Sequence, residues 1–142
     1  MISIMLHLKI ITPQKIILED EVQAVTVPTY AGEITILPHH TNLFSLLVEG
    51  IVKIKTDTSE DHLAIGGGYL ETDGDEANVL VAKAYKQDEV DQEIILKAIE
   101  NAKNILKISK DKKERAEAAS LLRRSLIDLK LLKRRRRPLP SV

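Results

Sequence analysis

Residues 49–56 read Glu-Gly-Ile-Val-Lys-Ile-Lys-Thr, and this short stretch shows what kind of structure the first part of the chain forms. Val52 and Ile54 alternate with Lys53 and Lys55. Because side chains two residues apart in a β-strand lie on the same face, the alternation predicts a strand with one apolar face and one face in water. A sheet with one wet face is typically antiparallel, so the stretch predicts an antiparallel sheet.

Short apolar runs of the same kind, rich in Val, Ile and Thr, extend from residue 7 to residue 83. Each run is too short for a helix, and turn residues such as Glu49-Gly50 and Asp73-Gly74-Asp75 separate the runs. Short strands at this spacing are typical of a β-sandwich or barrel. The predicted strands are Leu6–Ile11, Ile16–Leu18, Val22–Val27, Glu33–Leu37, Phe44–Val48, Ile51–Thr56, His62–Ile65, Tyr69–Thr72 and Asn78–Lys83.

The period of the apolar residues changes at Gln87-Asp88. From Ile94 to Leu106, aliphatic side chains recur at offsets of one, three and four, which places them on one stripe of an α-helix. Asp88 is the predicted N-cap of this helix, because a carboxylate can accept hydrogen bonds from the free amide groups of the first turn.

A second helix follows a polar break at Ser109–Lys112, where Ser109 or Asp111 is expected to cap it. Its leucine-rich stripe ends in the run Arg134–Arg137, before Pro138, which cannot continue a helix. The whole pattern predicts a β + α fold, in which an N-terminal antiparallel β-sandwich precedes a C-terminal antiparallel two-helix hairpin.

The electric charge of the chain divides at the same point. Residues 1–87 carry 6 Lys against 12 acidic residues, a net −6, and residues 88–142 carry 15 Lys and Arg against 9 acidic residues, a net +6. Because charge and period change together, we predict two domains, a β-sandwich over 1–87 and a helical hairpin with a basic end over 88–142.

The sequence contains no motif for catalysis, metal binding or a cofactor. It has no cysteine, so disulfides and thiolate chemistry are excluded. The run Gly66–Gly68 lacks the Lys and hydroxyl residue of a phosphate-binding loop, and we expect it to allow a close approach of the backbone or a bulge between two strands. The adjacent His39 and His40 would point to opposite faces of an extended segment and could not easily share a metal. We predict a non-catalytic binding or structural protein.

The basic C-terminal end allows four interpretations. Such charges on a leucine-rich helix can bind nucleic acid, lie on an anionic membrane, dock on an acidic protein, or form a solvated face. Nucleic-acid binding is the least favoured, because the tail has no aromatic side chain to stack on bases and the negative β-domain would repel phosphate. The candidate partner-binding residues here are Arg123, Arg124, Lys130, Lys133, Arg134, Arg135, Arg136 and Arg137.

The segment Gly32–Leu43 fits the pattern G-x-x-x-φ-x-P-x-H-x-x-L, with φ apolar, and so resembles the epsilon subunit of F-type ATP synthases. The similarity continues through Gly67–Glu71, where a glycine pair precedes an aromatic residue, Leu and Glu, and through the strand Asn78–Ala82. Members of this family consist of a β-sandwich followed by a helix pair, so the resemblance covers the architecture that the residue patterns predict independently.

The resemblance implies a non-catalytic rotor subunit of a proton-translocating enzyme. In such a subunit the sandwich couples the gamma subunit to the ring of c subunits, and the helix pair can extend to the alpha and beta subunits and restrain ATP hydrolysis. By position, Glu33 corresponds to the contact with the c ring, and His40 to the face near gamma. The implied location is the cytoplasmic face of the cell inner membrane, or a plastid thylakoid, with membrane association only through the complex and no nucleic acid bound.

One departure from the family concerns ATP, because Ile94 stands where the nucleotide-binding members carry an arginine. No cofactor is therefore expected. The alternative function, from another class, is a free-standing β-domain adaptor whose basic amphipathic tail binds a membrane surface or nucleic acid.

Overall fold

The computed structural model describes residues 5–134 and 137–138. These residues form two compact units. The first contains the strands up to Lys86 together with Arg137–Pro138, and the second contains Gln87–Arg134.

In the described part of the first unit, eleven strands join in one sheet, mostly antiparallel and folded as a β-sandwich. The order of the strands is β10-β7-β6-β3-β5-β8-β9-β1-β2, with β4 beside β3 and β11 beside β7. This confirms the predicted fold class. The strands are β1 (Leu6–Ile11), β2 (Ile16–Val22), β3 (Ala24–Thr29), β4 (Gly32–Ile36), β5 (Leu43–Leu47), β6 (Gly50–Lys55), β7 (Ser59–Ile65), β8 (Gly68–Thr72), β9 (Glu76–Val81), β10 (Ala84–Lys86) and β11 (Arg137–Pro138).

Alternate residues of the strands supply the core. Leu6, Leu8 and Ile10 of β1 are fully buried, and so are Val52 and Ile54 of β6, whose intervening lysines are exposed as the alternation predicts. Burying each of these aliphatic side chains contributes about 1.5–3 kcal/mol relative to leaving it in water. The same cluster includes Val25, Val27, Ile36, Leu63, Leu70 and Val79.

A glycine marks the tightest approach between two strands. A Cβ atom on Gly68 of β8 would lie 2.0 Å from the carbonyl oxygen of Leu80 on β9, where no side chain fits. The expectation that Gly66–Gly68 allows close packing is confirmed at this position.

The turn between β8 and β9 is as tight as predicted. The Oδ1 atom of Asp73 accepts hydrogen bonds from the backbone N–H of Glu76 at 2.9 Å and of Asp75 at 3.0 Å, and these bonds lower the pKa of Asp73. Gly74 supplies the positive φ of +99° that the turn requires.

The sheet departs from the purely antiparallel prediction at one place. β1 runs parallel to β9, with His7 opposite Glu76 and Ile11 opposite Leu80. The alternation of side chains is the same in parallel and antiparallel strands, so it could not reveal this pairing between strands far apart in sequence. The short strand β10 was also missed, because its three residues are too few to show a period.

The first helix, α1, extends from Gln92 to Ile108. Its N-cap is Asp91, whose side chain accepts a hydrogen bond from the backbone N–H of Glu93 at 2.9 Å. The prediction of Asp88 as the cap was wrong, because Asp88 lies in a single 3-10 turn, Gln87–Glu89, before the helix. The carboxylate nearest the first helical turn therefore serves as the cap.

The second helix, α2, extends from Lys112 to Lys133 and packs against α1, which confirms the predicted hairpin. Of the two predicted caps, Ser109 and Asp111, Asp111 is the one that caps it, by accepting a hydrogen bond from the N–H of Lys113 at 3.2 Å. Arg115 donates to the carbonyl oxygens of Leu106 and Ser109, so it caps the end of α1 from the first turn of α2.

The prediction that α2 extends to Arg137 was wrong. The helix ends at Lys133, and Arg134 already has an extended conformation. Further along the chain, Arg137 precedes proline, which disfavours the helical conformation there, and Arg137–Pro138 form β11, in antiparallel pairing with β7. Arg135 and Arg136 lie outside the described residues.

Candidate partner-binding surfaces

One row of apolar residues crosses five neighbouring strands. In register from β5 to β2, the row consists of Leu46, Tyr69, Leu80, Ile11 and Ile16. Residues that are paired directly across strands share a face of the sheet. Leu46 is 65% exposed and Ile16 53% exposed, so this face, called here the apolar row, is accessible to a partner.

Aromatic contact extends the apolar row along β5. Phe44 is 60% exposed, and the centre of its ring lies 5.2 Å from that of Tyr69, in a tilted arrangement. On the other side of Leu46, Val48 is also exposed. A contiguous apolar patch on a protein surface marks an interaction site, because soluble chains rarely leave such area in water.

Charged residues lie beside the apolar row on β1 and β2. Both ring nitrogens of His7 lie 2.8 Å from carboxylate oxygens, Nε2 from Glu19 and Nδ1 from Glu21, and the Nζ of Lys9 lies 3.8 Å from Glu19. The hydrogen bond with Glu19, followed by that with Glu21, raises the pKa of His7. The same bond with His7 lowers the pKa of Glu19, and the charge of Lys9 adds to this effect.

Sequence reasoning missed the apolar row. Each of its members is an ordinary strand residue, and the row exists only because β5, β8, β9, β1 and β2 lie side by side. The signal available was indirect, since Phe44 and Leu46 are apolar at positions that alternate with the buried Leu47. Alternation alone could not show which of the two faces was covered.

The two predicted sandwich residues lie at another place in the same unit. Glu33 is exposed on β4, opposite Pro28. His40 follows in the loop after β4, where its ring Nδ1 lies 2.7 Å from the carbonyl oxygen of Thr41. Its neighbour His39 has a φ of +66° and donates its backbone N–H to the carbonyl of Gly74. Neither Glu33 nor His40 belongs to the apolar row.

The predicted basic residues that the structure describes with side chains lie in the helical unit and are exposed. Arg123 and Lys130 are seven residues apart, which places them on one face of α2 after two turns. Arg137 belongs to β11, which is part of the first unit. The set called here the basic residues of α2 consists of Arg123, Arg124, Lys130, Lys133 and the cap Arg134.

Within residues 5–134 and 137–138, no three His, Asp or Glu side chains lie close enough to hold a metal ion. None of the described helices is both long enough and apolar enough to cross a membrane. Ile94, in the first turn of α1, is 67% exposed and offers no charge to a phosphate group.

Comparison with known proteins points to one family. Residues 5–87 match the family described as ATP synthase, delta/epsilon chain, beta-sandwich domain. The chain is 36% identical over 136 residues to an ATP synthase epsilon chain of Dehalococcoides mccartyi, covering 93% of this chain and 95% of the relative. It is 31% identical over 121 residues to the chloroplastic epsilon chain of Psilotum nudum, covering 85% of this chain and 91% of that one.

Solved structures show the same fold. A chain in the Euglena gracilis mitochondrial ATP synthase, in a structure of OSCP, F1 and the c-ring, aligns with a TM-score of 0.71 and 23% identity. The alignment covers 93% of this chain and 79% of that one.

Proposed function

The chain belongs to the epsilon-chain family of ATP synthases, whose members are non-catalytic subunits, and from this premise we propose that it is a rotor subunit that couples gamma to the c ring. The observation that carries the proposal is the apolar row across five strands of the sandwich, which is exposed at its ends, Leu46 and Ile16, and half-buried between them. A subunit that transmits torque needs a wide contact on a rigid body, and a close-packed sheet deforms little under load.

The apolar row is the surface proposed to bind gamma. It offers aromatic and aliphatic side chains, which contribute most to the stability of protein interfaces. The ion pairs of His7 and Lys9 with Glu19 lie beside it and form a polar border. Because residues 1–87 carry a net −6, a partner with a basic surface would be attracted to this unit over a distance.

The c ring is proposed to bind at the start of β4, where Glu33 lies. Glu33 is exposed there and can pair with a basic group on a polar loop of the ring. From the resemblance, His40 is proposed to face gamma, and it lies in the loop after Ile36, beyond the other end of β4. These contacts would make the sandwich the link between the two rotor parts.

The helical unit is proposed to restrain ATP hydrolysis. The basic residues of α2 are exposed, so they are free to face acidic loops of the alpha and beta subunits when the helices extend. A two-state equilibrium changes only through contacts that differ between the states, and these charges supply such a difference. The complex would place the chain at the cytoplasmic face of the membrane.

Reconstitution tests the two roles separately. Membranes that have lost this subunit would receive either the full chain or a fragment of residues 1–87, whose folding is first verified by circular dichroism. We expect both to restore ATP-driven proton pumping, and the full chain alone to lower the ATPase rate. Failure of the full chain to restore pumping, with the subunit present in the membranes, would contradict the coupling role.

A further inference from the structure

One edge of β7 is covered by two separate segments of the chain. β6 pairs with β7 on one side, from Gly50 opposite Ile65 to Lys55 opposite Glu60. On the other side, β10 pairs with residues 63–65 of β7, and β11 pairs with residues 59–60. The second pairing is formed by the C-terminal segment, Arg137 opposite Glu60 and Pro138 opposite Ser59.

The two covering segments flank the helical unit in sequence. β10 ends at Lys86, directly before Gln87, and β11 begins soon after Arg134, the last residue of the unit. Both are antiparallel to β7, so they run in the same direction along one edge. Lys86 lies opposite Leu63 and Arg137 opposite Glu60, a shift of three residues or about 10 Å along the strand. The helical unit is thus a long insertion between two pieces of one edge.

Charge favours this particular segment as the occupant. The acidic residues near this pairing are Asp57, Glu60 and Asp61, and Glu60 also forms an ion pair with Lys53 at 3.8 Å. Arg137 adds a further positive charge at the position opposite Glu60. Pairs of opposite charge directly across two strands stabilise the pairing. Pro138 has no backbone N–H group, so it cannot donate a hydrogen bond to a further strand. The pairing therefore ends there and does not invite a strand of another chain.

The pairing between β11 and β7 is short, so β11 can detach from β7 and pair with it again. β11 consists of two residues, whereas independently stable strand pairing needs a longer contact. We propose that residues 59–60 of β7 are a docking site for Arg137–Pro138, which act as a strap. The strap fastens the end of α2 to the sandwich and must detach before α2 reaches another subunit. The second part of this proposal rests on the restraint of hydrolysis proposed above for the helices.

Disulfide cross-linking of the full-length chain tests the strap without any measurement of activity. The chain has no cysteine, so a pair can be introduced cleanly by Glu60→Cys with Arg137→Cys. Residues directly opposite in antiparallel strands have Cα atoms about 4.5–5.5 Å apart, within the range that a disulfide spans. The matched control is Asp75→Cys with Arg137→Cys, because Asp75 is an exposed acidic residue in the turn between β8 and β9.

We expect mild oxidation of the dilute protein to cross-link the first pair on the order of ten-fold faster than the control pair, because docking raises the local concentration of one thiol near the other. Added salt should reduce the ratio of the two cross-linking rates several-fold, because it screens the attraction between the acidic residues left near β7 and the basic residues left near the C-terminus. Equal rates for the two pairs would overturn the docking site. A ratio that salt leaves unchanged would overturn the contribution of charge.

The assembled enzyme then tests what the strap does. With Glu60→Cys and Arg137→Cys in the complex, we expect a several-fold higher ATPase rate in the oxidised state than after reduction, because the closed disulfide keeps α2 from its partner. Rapid cross-linking with equal ATPase rates would retain the docking site and overturn the restraint proposed for the helices. Slow cross-linking would overturn the strap whatever the ATPase rates are.

Discussion

Replacing Leu46 with alanine tests the apolar row at its most exposed aliphatic side chain. Leu46 is 65% exposed in the isolated chain, so about two thirds of its side chain remains to be buried by a partner. Full burial of a leucine contributes about 1.5–3 kcal/mol, which gives about 1–2 kcal/mol for this fraction. At about 1.4 kcal/mol for each ten-fold change, the Kd for gamma should rise about 5- to 30-fold.

The assay is a titration of the purified gamma subunit with the full-length chain, followed by calorimetry or by the fluorescence of a label on gamma. The matched control is Leu96→Ala, because Leu96 is 47% exposed on α1 and lies in the other unit. Both substitutions remove an exposed side chain, so the stability of either variant should change by no more than about 0.5 kcal/mol. We expect the Kd of the control to stay at the wild-type value.

Two results would refute this reasoning. If Leu46→Ala binds gamma as tightly as the wild type, the apolar row is not the gamma-binding surface. If Leu96→Ala weakens binding as much as Leu46→Ala does, the effect is not specific to the sandwich.

Three further predictions concern other parts of the chain. Gly68→Ala should destabilise the sandwich by about 2 kcal/mol or more in denaturant unfolding, because its Cβ would lie 2.0 Å from the Leu80 carbonyl oxygen; a change below about 0.5 kcal/mol would contradict the packing described. The raised pKa of His7 stabilises the folded state below the unfolded value of 6.5, and this stabilisation is lost as pH rises through the folded pKa. In the His7→Gln variant, the melting temperature should therefore change less with pH, from just below neutral pH upwards, than it does in the wild type. An unchanged pH dependence of the melting temperature would exclude His7 as its cause. Replacing the basic residues of α2 with glutamine, while Arg135–Arg137 are kept, should raise the ATPase rate of the assembled enzyme several-fold, an effect that added salt partly imitates; an unchanged rate would leave these residues as a solvated face.

Local patterns in the sequence were sufficient where neighbours in sequence decide the structure. The alternation at Val52–Lys55 gave both the strand and its buried face, because the period of two is a property of the strand itself. The cap of α2 was narrowed to Ser109 or Asp111, because a short polar side chain just before a helical stripe can accept a hydrogen bond from the amides that follow it, and Asp111 is the residue that does so. Asp88 was the wrong cap because three acidic residues precede α1, and the period alone does not fix which of them begins the helix.

Features that depend on strand order could not be predicted in this way. The parallel pairing of β1 with β9 joins the first part of the chain to residues some seventy positions later, and the apolar row depends on this pairing. The return of Arg137 to β7 was hidden for the same reason, since nothing in the arginine run itself indicates a strand. Sequence reasoning therefore found the elements and the family, but missed the surface proposed to bind gamma.

The rotor function itself is tested most directly by electron cryomicroscopy of ATP synthase purified through an affinity tag on this chain. We expect the sandwich to lie between gamma and the c ring, with Leu46 and Tyr69 of the apolar row buried against gamma and Glu33 facing a loop of the ring. A complex in which the chain is absent, or in which the apolar row remains in solvent while another face of the sandwich contacts gamma, would contradict the account.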